Sequence, residues 1–301
     1  MNDPVQSSTP QSGSDSAPPI ITGAHSSSAL HVGDLPPRRR PPVVNLFLPN
    51  RAITPSLLVL VALVEAAIFL TLWILSPYKV LPNPTEVLGA LSKLWLSQGL
   101  GRELAISFGL NLKALFWSSF ISLGLAYLTV IPVFRPLVTA ISKGRFLSLA
   151  GFTLVFTLIA RDGAALKLSL LTFAITVFYV TSMASVIAAI PRGEFEHART
   201  LRMSEWRTVW EVVILGTADK AFEVLRQNAA MGWMMLTLVE GIVRSQGGIG
   251  SMLLAESKHF LIAEVFAIQL VILIVGLIQD FAISAARKMA CPYADLTLER
   301  K

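Results

Sequence analysis

The run of nineteen residues from 57 to 75, LLVLVALVEAAIFLTLWIL, is the sequence feature that most constrains how this chain folds. It holds one charged residue, Glu65, and is long enough to cross the roughly 30 Å hydrocarbon core of a bilayer as a helix. Only 15% of the 301 residues are charged, whereas soluble domains carry about 25%. The run therefore predicts a membrane-spanning helix, and the composition predicts that much of the remaining surface also avoids water.

Five further apolar runs, separated by polar or proline-containing segments, predict five more spans. They cover residues 110–131, 146–160, 166–190, 228–243 and 260–284. The run 146–160 is short, so we expect it to tilt in a thin region or to be shielded by its neighbours. Residues 85–100 repeat apolar side chains at spacings of three and four, which predicts an amphipathic surface helix. The sequence thus predicts an all-α membrane protein with about six transmembrane helices.

Composition and charge predict the organisation around these spans. Residues 1–50 are rich in Ser, Pro and Gly and are predicted to form a disordered tail, followed by a membrane domain at 51–290 and a short tail at 291–301. With the N-terminus inside, the inner segments hold 17 of the 25 Lys and Arg residues and the outer segments hold 8. This bias follows the positive-inside rule, so both termini are predicted to be cytoplasmic. The net charge of +6 is accordingly assigned to topology rather than to nucleic-acid binding.

The residues that usually carry chemistry are sparse. Cys291 is the single cysteine, and His197 and His259 have no second ligand at a useful spacing for a metal. The glycines at 247, 248 and 250 are not followed by the Lys-Ser or Lys-Thr pair of a phosphate-binding loop. We therefore expect no catalytic residues, no metal site and no cofactor, and we expect any ATP hydrolysis to reside in another chain.

The segment from 192 to 207, between the fourth and fifth predicted spans, points to a mechanism. It is too polar to enter lipid, yet apolar side chains recur among its charges in a short helical pattern, at Phe195, Ala198, Leu201 and Met203. Ser204 then stands where a second helix would begin, since serine is favoured at helix N-caps. A short helix of this kind on the cytoplasmic face can present its side chains to a groove in a partner protein.

This segment resembles a known motif. Glu196-x-Ala198-Arg199, followed by Ser204 and Val213-Ile214-Leu215, is similar to the EAA loop of ABC importer permeases, written E-A-A-x3-G-x9-I-x-L-P. Further segments resemble motifs of the nitrate/sulfonate/bicarbonate/taurine branch of that family. Residues 81–87 resemble its "LP-P-EV" motif, and residues 103–107 resemble its "HLAIS" motif. Residues 233–240 resemble its "MWLTLIVAE" segment, and residues 247–250 resemble its "SGIG" turn. These matches follow the order of the family over roughly residues 80–290.

The resemblance implies a type I ABC importer permease fold in a bacterial inner (plasma) membrane. It implies three protein partners besides membrane lipid: a separate ABC ATPase, a second permease chain in a homo- or heterodimer, and an extracytoplasmic substrate-binding protein. The implied substrate is a small solute, such as the oxyanions nitrate, sulfonate or bicarbonate. The residues implied to form the coupling helix for the ATPase are Glu196, Ala198, Arg199, Leu201, Arg202, Met203 and Ser204.

The fifth predicted span supplies candidates for a translocation path, namely Asn228, Met231, Trp233, Met235 and Glu240. An acid within a span is costly to insert and therefore faces protein or water. Two alternatives remain for this set. Glu240 is either a path residue or a buried, hydrogen-bonded acid, and the methionines either line a path or simply pack between helices.

The chain also departs from the motif. Arg202 occupies the position of the motif glycine, and the closing proline is absent, because a slip of one residue places Gly216 there. These departures keep a second hypothesis open, in which the chain is a diverged, non-transporting scaffold or regulatory subunit of a heteromeric permease. A third hypothesis is a secondary carrier driven by an ion gradient without an ATPase.

Overall fold

The computed structural model describes residues 55–75 and 80–292, except for the side chain of Ser245. Every regular element in these residues is a helix. The chain divides into two compact units between Ala66 and Ala67, within helix α1 (Pro55–Ile74). The first unit is described only for the start of α1, and all later elements belong to the second. The predicted N-terminal tail, residues 1–50, and residues 293–301 of the predicted C-terminal tail lie outside the described residues.

Ten α-helices follow α1 in the described part of the chain. They are α2 (Pro84–Ser97), α3 (Leu100–Leu128), α4 (Arg135–Lys143), α5 (Leu149–Ile159), α6 (Gly163–Ala188), α7 (Arg192–Thr200), α8 (Glu205–Thr208), α9 (Ala218–Ile242), α10 (Ile249–Lys258) and α11 (Ile262–Ala290). A π-helical segment, Val209–Leu215, continues directly from α8.

Four of the described helices, α1, α3, α6 and α11, are long and apolar enough to cross a membrane. A fifth crossing results if the bent pair 132–146 and 149–159 counts as one span. The chain is thus an all-helical membrane protein with four to five candidate spans, fewer than the six predicted. One missing span is the predicted 228–243, which forms part of α9 and is not among the candidate spans; with four spans, the bent segment is the second missing one.

The second predicted span is corrected at its N-terminal end. Instead of starting at residue 110, α3 starts at Leu100, directly after Gly99 turns the chain with a left-handed φ of 72°. The apolar pattern did not assign residues 100–109 to the span, because they include Arg102, Glu103 and Ser107. Ser107 is nevertheless fully buried, since its hydroxyl has partners from other helices.

The third predicted span is not one straight helix. Leu147 and Ser148 adopt extended conformations, and the helices on either side meet at 114°. What remains, α5, has eleven residues and a length of about 16 Å, roughly half of a hydrocarbon core. Phe152 and Phe156 of α5 pack on Phe173 of α6, with ring centroids 5.1 and 5.6 Å apart. A neighbouring helix thus shields part of this short segment.

The helices pack around a stripe of small residues on α3. Ser118, Ser122 and Ala126 recur every four residues, and each is fully buried. Small side chains allow the backbones of membrane helices to approach closely, and here α3 lies along α6. The Ser122 hydroxyl donates a hydrogen bond to the Thr176 carbonyl oxygen of α6 at 3.2 Å. Helices α9, α10 and α11 complete the core around Trp233, Leu236 and Ile268.

The predicted surface helix forms at 84–97. The Glu86 carboxylate accepts a hydrogen bond from the Asn83 backbone N–H at 3.0 Å, which satisfies a donor at the start of α2. Val87, Ala90 and Leu94 face α11 and the core. Two residues of the predicted apolar face, Leu88 and Trp95, are instead exposed.

Candidate functional site

The predicted coupling segment folds as two helices joined by a tight turn. Helix α7 ends at Thr200, and Arg202 then adopts a left-handed φ of 53°. The Met203 N–H donates to the Ala198 carbonyl at 3.2 Å, and the Arg202 N–H donates to the Arg199 carbonyl at 2.9 Å. This pair of bonds defines a Schellman motif, in which the left-handed position is usually glycine. Arg202 therefore takes the backbone conformation that the motif glycine would supply.

Ser204 starts the second helix, as its sequence position predicts. Its hydroxyl oxygen accepts a hydrogen bond from the Arg207 N–H at 3.4 Å, and its carbonyl accepts one from the Thr208 hydroxyl at 3.1 Å. Ala198 is buried, and α7 packs on the π-helical segment 209–215. Of the other predicted coupling residues, Met203 is half-buried. The rest are exposed, namely Glu196, Arg199, Leu201, Arg202 and Ser204. The exposed side chains of the segment thus form a charged ridge, and the small side chain of Ala198 packs this ridge onto the protein.

A π-helical segment continues the chain directly from α8. In Val209–Leu215 the Gly216 N–H reaches back five residues to the Glu211 carbonyl at 3.1 Å. A π-helical turn accommodates one more residue than an α-helical turn, so an extra residue need not change the direction of the chain that follows. A Cβ at Gly216 would overlap the Val212 carbonyl oxygen. Glycine fits this position, whereas the proline of the motif would not.

The five predicted path residues lie on two faces of α9. Trp233 and Glu240, seven residues apart, point into the protein and are buried. Asn228 is also buried, and its amide donates to the Val224 carbonyl of its own helix at 2.8 Å. Met231 is half-buried, and Met235 lines a surface groove of ≈ 610 Å³ between α9, α10 and α11. The structure therefore does not bring all five residues to one surface.

Glu240 belongs to a buried polar cluster that joins α3, α9 and the glycine-rich turn before α10. Its carboxylate accepts hydrogen bonds from the Ser107 hydroxyl at 2.7 Å and from the Gly250 N–H at 2.8 Å. The Ser107 oxygen accepts the Ile249 N–H at 2.8 Å, and the Glu103 carboxylate accepts the Gly248 N–H. This geometry favours the hydrogen-bonded acid over the path residue for Glu240.

Lys167 of α6 holds the same turn from another side. Its ammonium group donates a hydrogen bond to the Gly247 carbonyl oxygen at 2.5 Å, and the residue is only 2% exposed. Cβ atoms added at Gly247 or Gly248 would meet the carboxylates of Glu103 or Glu240, respectively. Both glycines also have positive φ. The turn is therefore glycine-rich because its backbone passes directly over two acids.

Trp233 belongs to a second polar cluster, which connects α9 to α3 and α11. Its indole N–H donates to the Gln279 side-chain oxygen at 2.8 Å, and the Asn111 amide donates to the same oxygen at 3.1 Å. Because the indole only donates, it fixes the orientation of Gln279, which in turn fixes Asn111. Within the described residues, the Asn111 oxygen and the Gln279 amide nitrogen have no protein partner.

Sequence reasoning missed four of these buried polar residues, Ser107, Asn111, Lys167 and Gln279. A signal was present for two of them, since Ser107 and Asn111 are four residues apart and continue toward the small-residue stripe at Ser118. No comparable periodicity marks Lys167 or Gln279, whose partners lie 80 and 46 residues away in sequence.

The chain matches no family model. No curated protein matches it in sequence at a significant level. Among the described residues, His, Cys, Asp and Glu form no group of three or more that could hold a metal ion. The class that fold and site define is therefore an all-helical membrane protein with an exposed, structured loop between α6 and α9.

Proposed function

We propose that this chain is the permease subunit of an ABC importer, with α7 and the turn to Ser204 as its coupling element. The observation that carries the proposal is the conformation of Arg202, which is left-handed at the position where the family motif has glycine. The π-helical segment adds support, because it accommodates the one-residue slip between the two halves of the motif. In this segment the backbone fits the motif even where the residues depart from it.

In this proposal α7 transmits movement of the ATPase to the membrane helices. Ala198 couples α7 to the segment 209–215, which leads directly into α9. Helix α9 has 25 residues and ends in the buried cluster around Glu240. A push on α7 would therefore move α9 with α3 and α10 as one body, which is how rigid elements switch access between two sides.

The finer assignments rest on the family resemblance. We propose that a second permease chain, equal or different, pairs with this one around the translocation path in the bacterial inner membrane, with both termini in the cytoplasm. A substrate-binding protein outside the membrane would deliver a small solute, for which an oxyanion such as nitrate, sulfonate or bicarbonate is the leading candidate. ATP hydrolysis would reside in the ATPase.

The test is co-purification with candidate ABC ATPases from the same genome. Glu196 and Arg199 are exposed one turn apart on α7, so the double change Glu196→Ala, Arg199→Ala should weaken ATPase binding at least about tenfold without loss of thermal stability. Lys258→Ala, at the end of α10, is the matched control and should bind normally. Undiminished binding after deletion of residues 193–207, or no ATPase bound by the unchanged protein, would exclude the proposal.

A non-transporting scaffold or regulatory subunit is the second candidate. It is favoured by the burial of Trp233 and Glu240, whose side chains are engaged in hydrogen bonds rather than lining an opening. Reconstitution of the complex in proteoliposomes distinguishes the two functions. ATPase activity that rises with substrate and binding protein supports the permease, whereas ATPase binding without substrate-dependent turnover supports the scaffold.

A further inference from the structure

An apolar groove of ≈ 390 Å³ lies beside the coupling segment. One wall is the C-terminal end of α3 and the residues that follow it, and the other wall is α8 with the π-helical segment. The side chains that shape it include Tyr127, Leu128 and Ile131 on the first wall and Trp206, Val209 and Ile214 on the second. Gly124 also lines the groove, and its missing side chain leaves space within it.

The charges on α3 and just beyond it place this groove at the edge of the membrane. Between Lys113 and Arg135 there are 21 uncharged residues, 114–134. Of these, residues 114–128 belong to α3 and rise about 22 Å of the roughly 30 Å hydrocarbon core, and Arg135 follows after a turn and a short 3₁₀ helix. The groove is lined by residues in the range 124–132, in the final part of that stretch. It therefore opens in the leaflet on the side of α7, at the depth where acyl chains meet headgroups.

The second wall includes the exposed Trp206, and a second exposed tryptophan, Trp210, follows four residues later in the chain. Trp206 is 74% exposed and Trp210 is 57% exposed in the isolated chain. Tryptophan is enriched where hydrocarbon meets water, because its ring is apolar and its N–H can still donate to a polar group. The charged ridge of α7 is a separate surface, and the groove itself is lined almost entirely by apolar side chains.

We propose that this groove binds one acyl chain of a membrane phospholipid, with Trp206 at the level of the headgroup. Glu205 lines the groove, and beside it Arg207 lies 3.9 Å from Glu211. Arg207 and Glu211 offset each other, and the residues described as lining the groove include no cation, so the lipid is selected by its chain rather than by its headgroup. The proposal requires only that α3 spans the membrane and is independent of ATPase coupling.

The first test measures quenching of Trp206 by brominated lipids. A variant that keeps Trp206 and replaces the other five tryptophans with phenylalanine is placed in nanodiscs of phospholipid brominated at shallow or deep acyl positions. We expect shallow bromines to quench Trp206 strongly. A second variant that keeps only Trp233, which is 5% exposed and stacked on Phe108, should be quenched far less. Quenching of Trp206 by aqueous iodide but not by bromine, or by neither, would overturn the proposal.

The second test keeps all the tryptophans and fills the groove. A Cβ at Gly124 would meet no atom within 4 Å, so Gly124→Leu adds a side chain that starts in open space at the groove. Gly109→Leu is the matched control, because Gly109 lies on the same helix, is equally unobstructed and does not line the groove. Native mass spectrometry then measures the phospholipid that remains bound to each protein.

The control and the unchanged protein should retain one more phospholipid than Gly124→Leu. The loss of about two acyl CH₂ groups from the groove reduces affinity roughly fifteenfold. Phosphatidylglycerol should bind no more than about twofold more tightly than phosphatidylcholine, because the residues described as lining the groove include no cation. Equal lipid retention by both leucine variants would refute the groove site, and a strong preference for the anionic lipid would refute selection by the chain.

Discussion

Arg202 shows how one residue can hold a conformation that its side chain does not favour. The left-handed region costs an L-amino acid roughly 1–2 kcal/mol, because Cβ approaches the following carbonyl oxygen. At Arg202 the cost is offset by the two capping hydrogen bonds at the end of α7 and by the helix that begins at Ser204. The surrounding turn, rather than the residue, determines this backbone geometry.

Arg202→Gly should therefore stabilise the protein by about 1 kcal/mol, because glycine adopts positive φ without the Cβ contact. Thermal unfolding in detergent should show a higher Tm for this variant. Arg202→Ala is the control, since it removes the guanidinium but keeps Cβ, and it should give no such gain. An equal increase in both variants would mean that the charge, and not the backbone, is the source of strain.

At the scale of elements, close helix contacts depend on residues without bulk. The α9–α10 crossing is the tightest example, because a Cβ on Gly250 would lie 2.6 Å from both the Cα and the carbonyl oxygen of Thr237. The Gly250 N–H also donates to Glu240, which fixes α10 to α9 at its first turn. The stripe at Ser118, Ser122 and Ala126 has the same role between α3 and α6.

Gly250→Ala should destabilise the fold by about 1–3 kcal/mol, because backbone atoms cannot move aside as a flexible side chain can. Gly109→Ala, inside α3 and free of neighbours within 4 Å, should instead stabilise it by roughly 0.5–1 kcal/mol through helix propensity. Tm values of the two proteins in the same detergent test the contrast. A similar shift for both would show that the α9–α10 contact is looser than the structure indicates.

At the scale of the whole molecule, α9 is fixed at both ends by polar contacts of different kinds. One end holds the buried cluster around Glu240. The other end holds partly exposed ion pairs. Arg226 contacts Glu223 of its own helix at 2.7 Å and Asp280 of α11 at 3.3 Å, while Arg287 of α11 contacts Glu223 at 3.4 Å. Hydrogen bonds from Arg226 hold the pKa of Glu223 below its ordinary value.

This shift predicts how stability depends on pH. Because the pKa of Glu223 is lower in the folded state, its contribution is fully present above the unfolded pKa of about 4.3 and is lost as pH falls through the folded value. The Tm in detergent should therefore fall as the pH is lowered from about 6 to 3, and Arg226→Gln should reduce that fall. Arg207→Gln, which alters only a loose exposed pair, should leave the slope unchanged. Identical slopes in all three proteins would contradict this role for Arg226.

Local sequence signals predicted the helices better than their contacts. The apolar runs located α1, α6 and α11, and Ser204 was correctly predicted to begin a helix. The start of α3 was wrong because Glu103 and Ser107 read as polar in isolation, although both have partners in the turn before α10. The break before α5 also escaped prediction, since an apolar run looks the same whether it is straight or bent.

The sequence by itself determined that this is a helical membrane protein and located its exposed polar segment, because hydrophobic periodicity and helix caps act between near neighbours. The tertiary structure alone decided which polar side chains are buried and what they contact. Ser107 and Glu240 are 133 residues apart, and nothing in either local sequence specifies that pairing. It arises when α3 and α9 pack together, because a buried polar group left without a hydrogen-bond partner costs about 1–3 kcal/mol, a large share of a marginal stability.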